Sequence, residues 1–120
     1  MTITAQDTLA IFIGSGALGF PWYRVDRHPA DNIDSETWTL AFTEFAFGSS
    51  ETEISQHVIT HDDLLRAVQK IASGDAHQIE DDVQRECQAL LSQGPGVAGF
   101  DADAADVVIQ IAAFGKVLYA

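Results

Sequence analysis

The chain has 120 residues, 47% hydrophobic and 20% charged, which is typical of a single folded domain and excludes general disorder. Eighteen Asp and Glu residues against six Lys and Arg give a formal net charge of −12, so we expect neither nucleic acid nor a membrane as a direct partner. The single cysteine excludes an internal disulfide, and the N-terminus lacks the positive charges of a signal peptide. Together these features predict a cytoplasmic protein.

The first predicted element is a short helix near the N-terminus. Thr4 and Asp7 have the spacing of a capping box, and apolar residues follow up to Ile13. The next three glycines spell G-x-G-x-x-G, a dinucleotide-binding pattern: Gly14, Gly16 and Gly19. Because Pro21 would stop the helix that such a loop requires, we interpret the glycines as the end of the short helix and expect no cofactor.

Residues 21–60 predict a small antiparallel sheet of about three strands. Residues 23–25 form the first short extended segment, and residues 37–43 alternate bulky and small side chains, the strongest strand signal in the chain. Phe45 breaks this alternation, which favours either a bulge just before it or a strand covered on both faces. After a turn sequence, residues 54–60 predict the returning strand of a hairpin.

Three helices are predicted in the C-terminal half. Thr60 can cap the first, which ends at Ser73-Gly74, and the second carries apolar positions from Ile79 to Leu91. The third begins at Asp101, extends toward Leu118 and is apolar nearly all round, which predicts a central position. Strands followed by helices predict an α+β fold over residues 1–120, with a small antiparallel sheet packed against C-terminal helices and a short N-terminal helix.

Acidic clusters lie in the first turns of all three C-terminal helices. There the helix dipole and the unpaired N–H groups stabilise a carboxylate by about 0.3–1 kcal/mol, so these clusters need no metal to explain them. Exposed carboxylates can also form an acidic face for a protein partner. The candidates for that face are Asp62, Asp63, Glu80, Asp81, Asp82, Asp101 and Asp103.

Aromatic residues crowd the N-terminal half of the chain. A strand with bulky side chains on both faces cannot bury both against one helical layer, so one interpretation is an exposed patch for a partner or a second copy of the chain. The other is a wide core in which the N-terminal helix covers the second face of the sheet. The aromatic candidates for partner binding are Trp22, Tyr23, Phe45 and Phe47.

Catalytic groups have little support in the sequence. Cys87 lies on an apolar helical stripe beside Glu86, whose charge would raise the thiol pKa, so a core position is favoured over a nucleophile. His57 and His61 have the spacing of a zinc pair, but position 58 is Val and a strand-to-helix boundary separates them. We expect both histidines to face solvent or cap the helix, and we predict no enzyme, no metal site and no cofactor.

The C-terminal third contains R-E-C-x-x-L-L at residues 85–91 and F-D-A-D-x-A-D at residues 100–106, followed by an apolar helix and a closing aromatic. This pattern resembles a family of small acidic uncharacterised proteins encoded by actinobacterial phages and prophages. Ala120 departs from the family's final glycine. The matching residues are Arg85, Glu86, Cys87, Leu90, Leu91, Phe100, Asp101, Ala102, Asp103, Ala105 and Asp106. The resemblance implies a phage-encoded protein acting inside bacteria and supplies no catalytic residues.

The leading functional hypothesis is therefore a non-enzymatic module that binds a bacterial or phage protein through the aromatic surface or the acidic face. The second is a nucleic-acid mimic that inhibits a host DNA- or RNA-binding defence protein, which requires the acidic residues to share one face. Adaptation of the surface to high salt is a third interpretation of the acidity. A small enzyme that depends on Cys87 or on a metal comes last.

Overall fold

The computed structural model describes residues 3–34, 36–46, 52–76, 78–97 and 99–119. These residues form the predicted α+β fold, in which a three-stranded antiparallel sheet packs against three C-terminal helices that also pack together. No helix in these ranges is long and apolar enough to cross a membrane. The elements in chain order are α1 (Ala5–Thr8), β1 (Tyr23–Arg27), β2 (Thr39–Phe45), β3 (Glu53–Thr60), α2 (His61–Ala72), α3 (Asp81–Gln93) and α4 (Ala102–Phe114).

The N-terminal helix begins with the predicted capping box, in which the Asp7 N–H donates to Thr4 Oγ1 and the Thr4 N–H donates to the Asp7 carboxylate. It continues as a π-helical turn (Leu9–Ile13) that ends at Gly14, and Gly16 adopts a φ of 93° that favours glycine. The glycines therefore end a helical segment, as predicted, and do not follow a strand as a dinucleotide-binding loop would.

The position of this helix differs from the prediction. The buried indole N–H of Trp38 donates to the Ala5 carbonyl oxygen at 3.1 Å and to Thr8 Oγ1 at 2.9 Å. Thr8 Oγ1 also lies 2.7 Å from Nδ1 of His61, which is 5% exposed. Because a buried indole N–H needs an acceptor, these contacts hold α1 on the core side, near the start of α2. The prediction that the helix covers the second face of the sheet is wrong, as is the prediction that His61 faces solvent.

The sheet has the order β1–β2–β3, and its helices cover one face. Leu40 and Phe42 point into the core and are fully buried, whereas alternate positions on the outer face, such as Arg24 and Val58, are exposed. The register between β2 and β3 shifts beyond Glu44, where Ile54 is an extra residue. A bulge therefore lies close to the predicted position, but it belongs to β3 and not to β2. Strand β2 keeps its alternation, and Phe45 lies half-buried on the outer face.

Helix α4 is central, as predicted. Residues 108–111 are all buried, and the helix contacts α2, β3 and the N-terminal helical turn. It ends at Phe114 because Gly115 adopts a left-handed conformation with a φ of 76°, so the predicted extension to Leu118 is wrong. Helix α3 packs on α2 and places Cys87 and Leu90 in the core, where neither side chain is exposed.

Candidate acidic groove

An open groove of about 1140 Å³ lies between the start of α3, the start of α4 and the last residues of the chain. We call it the acidic groove, because its lining includes six carboxylates and, among the described residues, one basic side chain, that of Arg85. The lining carboxylates are Glu80, Asp82, Glu86, Asp101, Asp103 and Asp106. Its larger apolar and aromatic lining residues are Phe20, Pro21, Trp22, Ile79, Val83, Val107, Val117 and Tyr119.

The acids of α3 and α4 meet because a side chain of α3 binds the backbone of the segment that precedes α4. The Gly99 N–H donates to Glu86 Oε2 at 2.8 Å, which holds the chain that leads into α4 against α3. Asp101 then caps α4 by accepting from the Ala104 N–H at 2.8 Å. Two acidic segments that are distant in sequence therefore line one groove, and each is also stabilised by its own helix N-terminus.

Part of the negative charge in the groove has no partner. Arg85 forms an ion pair with Asp82. The side chains of Glu80 and Asp103 are exposed and make no hydrogen bond or ion pair within the ranges that the structure describes. The groove therefore attracts cations, most strongly beside Glu80 and Asp103.

Asp106 lies at the base of the groove and is 6% exposed. Its Oδ1 accepts from the indole N–H of Trp22 at 2.9 Å, and its Oδ2 accepts from Nε2 of Gln110 at 2.7 Å. Burial raises the pKa of Asp106 above its ordinary value, and the nearby charge of Asp103 adds to the rise, although both hydrogen bonds oppose it. Our sequence reasoning did not give Asp106 this role. The available signal was a pair of polar residues, one turn apart, on a helix that is otherwise apolar.

The C-terminal strap, residues 115–119, forms one wall of the groove. Oε1 of the fully buried Gln110 accepts from the backbone N–H groups of Leu118 and Tyr119, at 2.8 and 2.9 Å, and its Nε2 donates to the Tyr119 carbonyl oxygen at 2.8 Å. The Tyr119 ring stacks on Trp22, with 4.9 Å between the ring centroids and 7° between the ring planes. Gln110 thus holds the C-terminal strap in place and, with it, the Tyr119 ring that lines the groove.

Behind the strap, the Glu44 carboxylate has three side chains within hydrogen-bond distance. Tyr119 donates its hydroxyl to Glu44 Oε2, while His57 Nε2 lies 2.8 Å and Ser55 Oγ 3.3 Å from Oε1. Burial alone would raise the pKa of Glu44, but the hydrogen bonds from Tyr119 and His57 outweigh it and lower the pKa. His57 therefore binds a carboxylate, and the expectation that it faces solvent or caps a helix is wrong.

The cluster of Ser55, His57 and Glu44 is not a catalytic triad. A serine nucleophile and its carboxylate contact opposite nitrogens of the histidine ring, so that the ring can accept a proton from one side. Here Ser55 Oγ and Glu44 Oε1 both contact Nε2 of His57, at 2.9 and 2.8 Å. This geometry orients the side chains around Glu44 but does not activate the serine.

The aromatic candidates occupy different places from those expected. Trp22 and Tyr23 are 7% and 5% exposed and pack on Phe42, with ring centroids 5.5 and 5.0 Å apart. Of the two interpretations, the exposed patch is therefore wrong at these two residues and the core position is confirmed, because both rings are buried. Phe45 is half-buried, and its carbonyl oxygen accepts from the Tyr119 hydroxyl at 3.1 Å. Phe47 lies outside the described residues.

The acidic candidates divide into two groups. Four of them line the groove: Glu80, Asp82, Asp101 and Asp103. Asp62, Asp63 and Asp81 are not in its lining. Asp63 forms the capping box of α2 with Thr60 and an ion pair with Arg66. The N-termini of α3 and α4 therefore share one surface, and the N-terminus of α2 does not contribute to the groove.

Cys87 has the environment of a core residue. Burial raises the pKa of its thiol to about 12, and the charge of Glu86 acts in the same direction, so little nucleophilic thiolate forms at neutral pH. Within the ranges that the structure describes, no group of three or more His, Cys, Asp or Glu side chains is arranged to hold a metal ion.

Comparison with protein-family profiles, with curated proteins and with solved structures gives no match for this chain. The likeness to phage and prophage proteins therefore remains an expectation from the sequence. Any functional argument rests on the geometry of the groove.

Proposed function

We propose that this chain is an acidic, non-enzymatic binding module that takes up a positively charged segment of a bacterial or phage protein in the bacterial cytoplasm. The observation that supports this function is the acidic groove, whose lining, among the described residues, combines six carboxylates and one guanidinium with apolar and aromatic side chains. A groove of about 1140 Å³ has room for several side chains of a partner. The phage origin and the cytoplasmic location come from the resemblance and from the single cysteine.

The lining fits lysine and arginine side chains. Glu80 and Asp103 offer carboxylates without partners in the described part of the chain, so a cationic head group can bind without breaking an internal ion pair. Val107, Val117 and Tyr119 offer surface for the aliphatic stem of the same side chain. Arginine suits this site best, since its planar guanidinium can bind a carboxylate through two hydrogen bonds and stack on an aromatic ring.

A nucleic-acid mimic is the second candidate, because the acids of α3 and α4 converge as a mimic requires. Two observations favour the binding module over it. Asp62, Asp63 and Asp81 are not in the lining of the groove, and Asp106 is buried at its base. A mimic also has to present its charges to a broad basic surface, whereas these carboxylates line a concave site together with apolar and aromatic side chains.

Two double variants with the same change in charge test the proposal. Glu80→Lys/Asp103→Lys reverses the two unpartnered charges of the groove. Asp62→Lys/Asp81→Lys reverses two exposed acids that also lie in the first turns of helices but outside the groove. Both variants and the wild-type protein are immobilised, exposed to bacterial lysate, washed with increasing salt and analysed by mass spectrometry.

We expect a partner that binds the wild-type protein and the Asp62/Asp81 variant but not the Glu80/Asp103 variant. A synthetic peptide covering the basic segment of that partner should then quench or shift the fluorescence of Trp22, which lines the groove. Equal loss of a nucleic-acid-binding partner in both variants would support the mimic instead. Equal retention in both variants, or no partner at all, would contradict the proposed function.

A further inference from the structure

Strand β3 lies at an open edge of the sheet. Among the described strands, only β2 is hydrogen-bonded to it, so the outward backbone groups of β3 have no strand to pair with. Ile54 and Val58 are 56% and 62% exposed and are the two most exposed large hydrophobic residues of the described chain. A long edge strand with exposed aliphatic residues is a template for another strand.

The opposite edge strand, β1, has features that hinder pairing with another strand. Strand β1 has five residues, three of them charged (Arg24, Asp26 and Arg27), and it carries a register shift between Val25 and Arg27. Strand β3 has eight residues, and Glu53, its first, is the only Asp, Glu, Lys or Arg among them. Both edge strands carry a bulge, since Ile54 is an extra residue of β3, but β3 is longer and has one charged residue against three. The β3 edge therefore opposes strand addition less than the β1 edge does.

The sequence of β3 is complementary to itself in an antiparallel register. When residue 56 of one strand lies opposite residue 56 of another, Ile54 faces Val58 of the second strand, and Val58 faces its Ile54. Gln56 and Val58 alternate with Ser55 and His57, whereas Ile54 is the bulged residue of the strand. The side chains of Ile54 and Val58 are both exposed to solvent at this edge strand, at 56% and 62%. No like charges meet between positions 54 and 58.

We propose that two copies of this chain pair through antiparallel β3 strands centred on Gln56, which joins their sheets into one six-stranded sheet. The symmetry is that of a two-fold dimer, in which every contact occurs twice. Each chain carries a net charge of −12, but only one charged residue, Glu53, belongs to β3, and physiological salt screens charges that lie more than about 8 Å apart. The surface lies on the sheet, away from the acidic groove, and the proposal does not depend on the proposed function.

The first test is the mass of the protein in solution as a function of concentration, by analytical ultracentrifugation. We expect the mass to rise from 13.0 kDa toward twice that value as the concentration increases. Val58→Lys should weaken the association by at least about tenfold, because the symmetry places the new charge against an aliphatic residue twice. Leu118→Lys is the matched control, since Leu118 is also an exposed hydrophobic residue, 42% exposed, but lies outside the sheet.

The second test examines the register directly. Gln56→Cys should form a covalent dimer on oxidation or with a short bismaleimide, while Ile54→Cys alone should not, since its expected neighbour is Val58. The native Cys87 is fully buried and does not compete. A monomer at all concentrations, equal association of the Val58→Lys and Leu118→Lys variants, or a dimer in which Gln56→Cys does not crosslink would each overturn the proposal.

Discussion

Replacement of Gln110 by Glu should destabilise the protein strongly at neutral pH, although it changes a single donor group in a fully buried side chain. Nε2 of Gln110 donates to Asp106 Oδ2 at 2.7 Å and to the Tyr119 carbonyl oxygen at 2.8 Å. A carboxylate can donate to neither. A buried acceptor left without a partner costs about 1–3 kcal/mol, so we expect Gln110→Glu to lower the free energy of unfolding by about 2–6 kcal/mol at pH 7.

The loss of stability caused by Gln110→Glu should be smaller at acidic pH. The new carboxyl group is buried beside Asp106, so its pKa in the folded protein lies above its unfolded value of about 4.3. The folded state then binds the proton more tightly than the unfolded state, and the destabilisation is complete only above the folded pKa. As the pH falls toward about 4.3 and below, the protonated carboxyl group regains a donor and the variant approaches the wild-type protein.

Urea unfolding at pH 7 and pH 4, followed by tryptophan fluorescence, measures both effects, since Tyr119 stacks on Trp22. Gln110→Met is the control, because it removes the polar contacts without adding an ionisable group. Its loss of stability should change less between the two pH values than that of Gln110→Glu, since only Asp106, whose pKa the Gln110 hydrogen bond lowers, still responds to pH. A loss below about 1 kcal/mol for Gln110→Glu at pH 7 would refute the role given to Gln110. So would a loss that is equal at both pH values.

Two further predictions concern local features of the helices. Thr60→Ala removes the capping box of α2 and should cost about 0.5–2 kcal/mol in thermal unfolding, whereas Glu80→Ala, at an N-cap that makes no side-chain hydrogen bond, should cost less. Cys87 should react with a thiol reagent at pH 8 only as fast as the protein unfolds, because burial raises the pKa of its thiol to about 12. Reaction of the folded protein at the rate seen in urea would contradict that assignment.

The helices could be predicted well because their ends depend on local chemistry. Thr60 caps α2 with Asp63 and Asp101 caps α4, as predicted, whereas the end of α4 before Gly115 was predicted too late in the chain. The bulge in the sheet was predicted close to its place but on the wrong strand, since its extra residue, Ile54, belongs to β3. These signals lie within a few residues of the feature that they specify.

The sequence could not show which polar groups would meet inside the protein. Trp22 and Asp106 are 84 positions apart in sequence, and Trp38 and Thr8 are 30 apart, yet each pair is buried and hydrogen-bonded. Periodicity places a side chain on a face but does not name its partner on another element. For this reason the sequence left the burial of Trp22 open and the burial of His61 was missed, because each is held inside by a hydrogen-bond partner that is distant in sequence.

The acidic groove also combines local signals with contacts between residues that are distant in sequence. A local rule explains each acidic residue at the start of α3 and α4, since a helix N-terminus stabilises a carboxylate. No local rule predicts that the two helices pack side by side. Their packing places six carboxylates and, among the described residues, a single guanidinium in the lining of one concave surface. Among them, the charge of Asp103 disfavours a charged Asp106. If the groove binds a positively charged segment as proposed, the bound cation would relieve this repulsion and stabilise the fold, and the acids of the two helices would act together as one site.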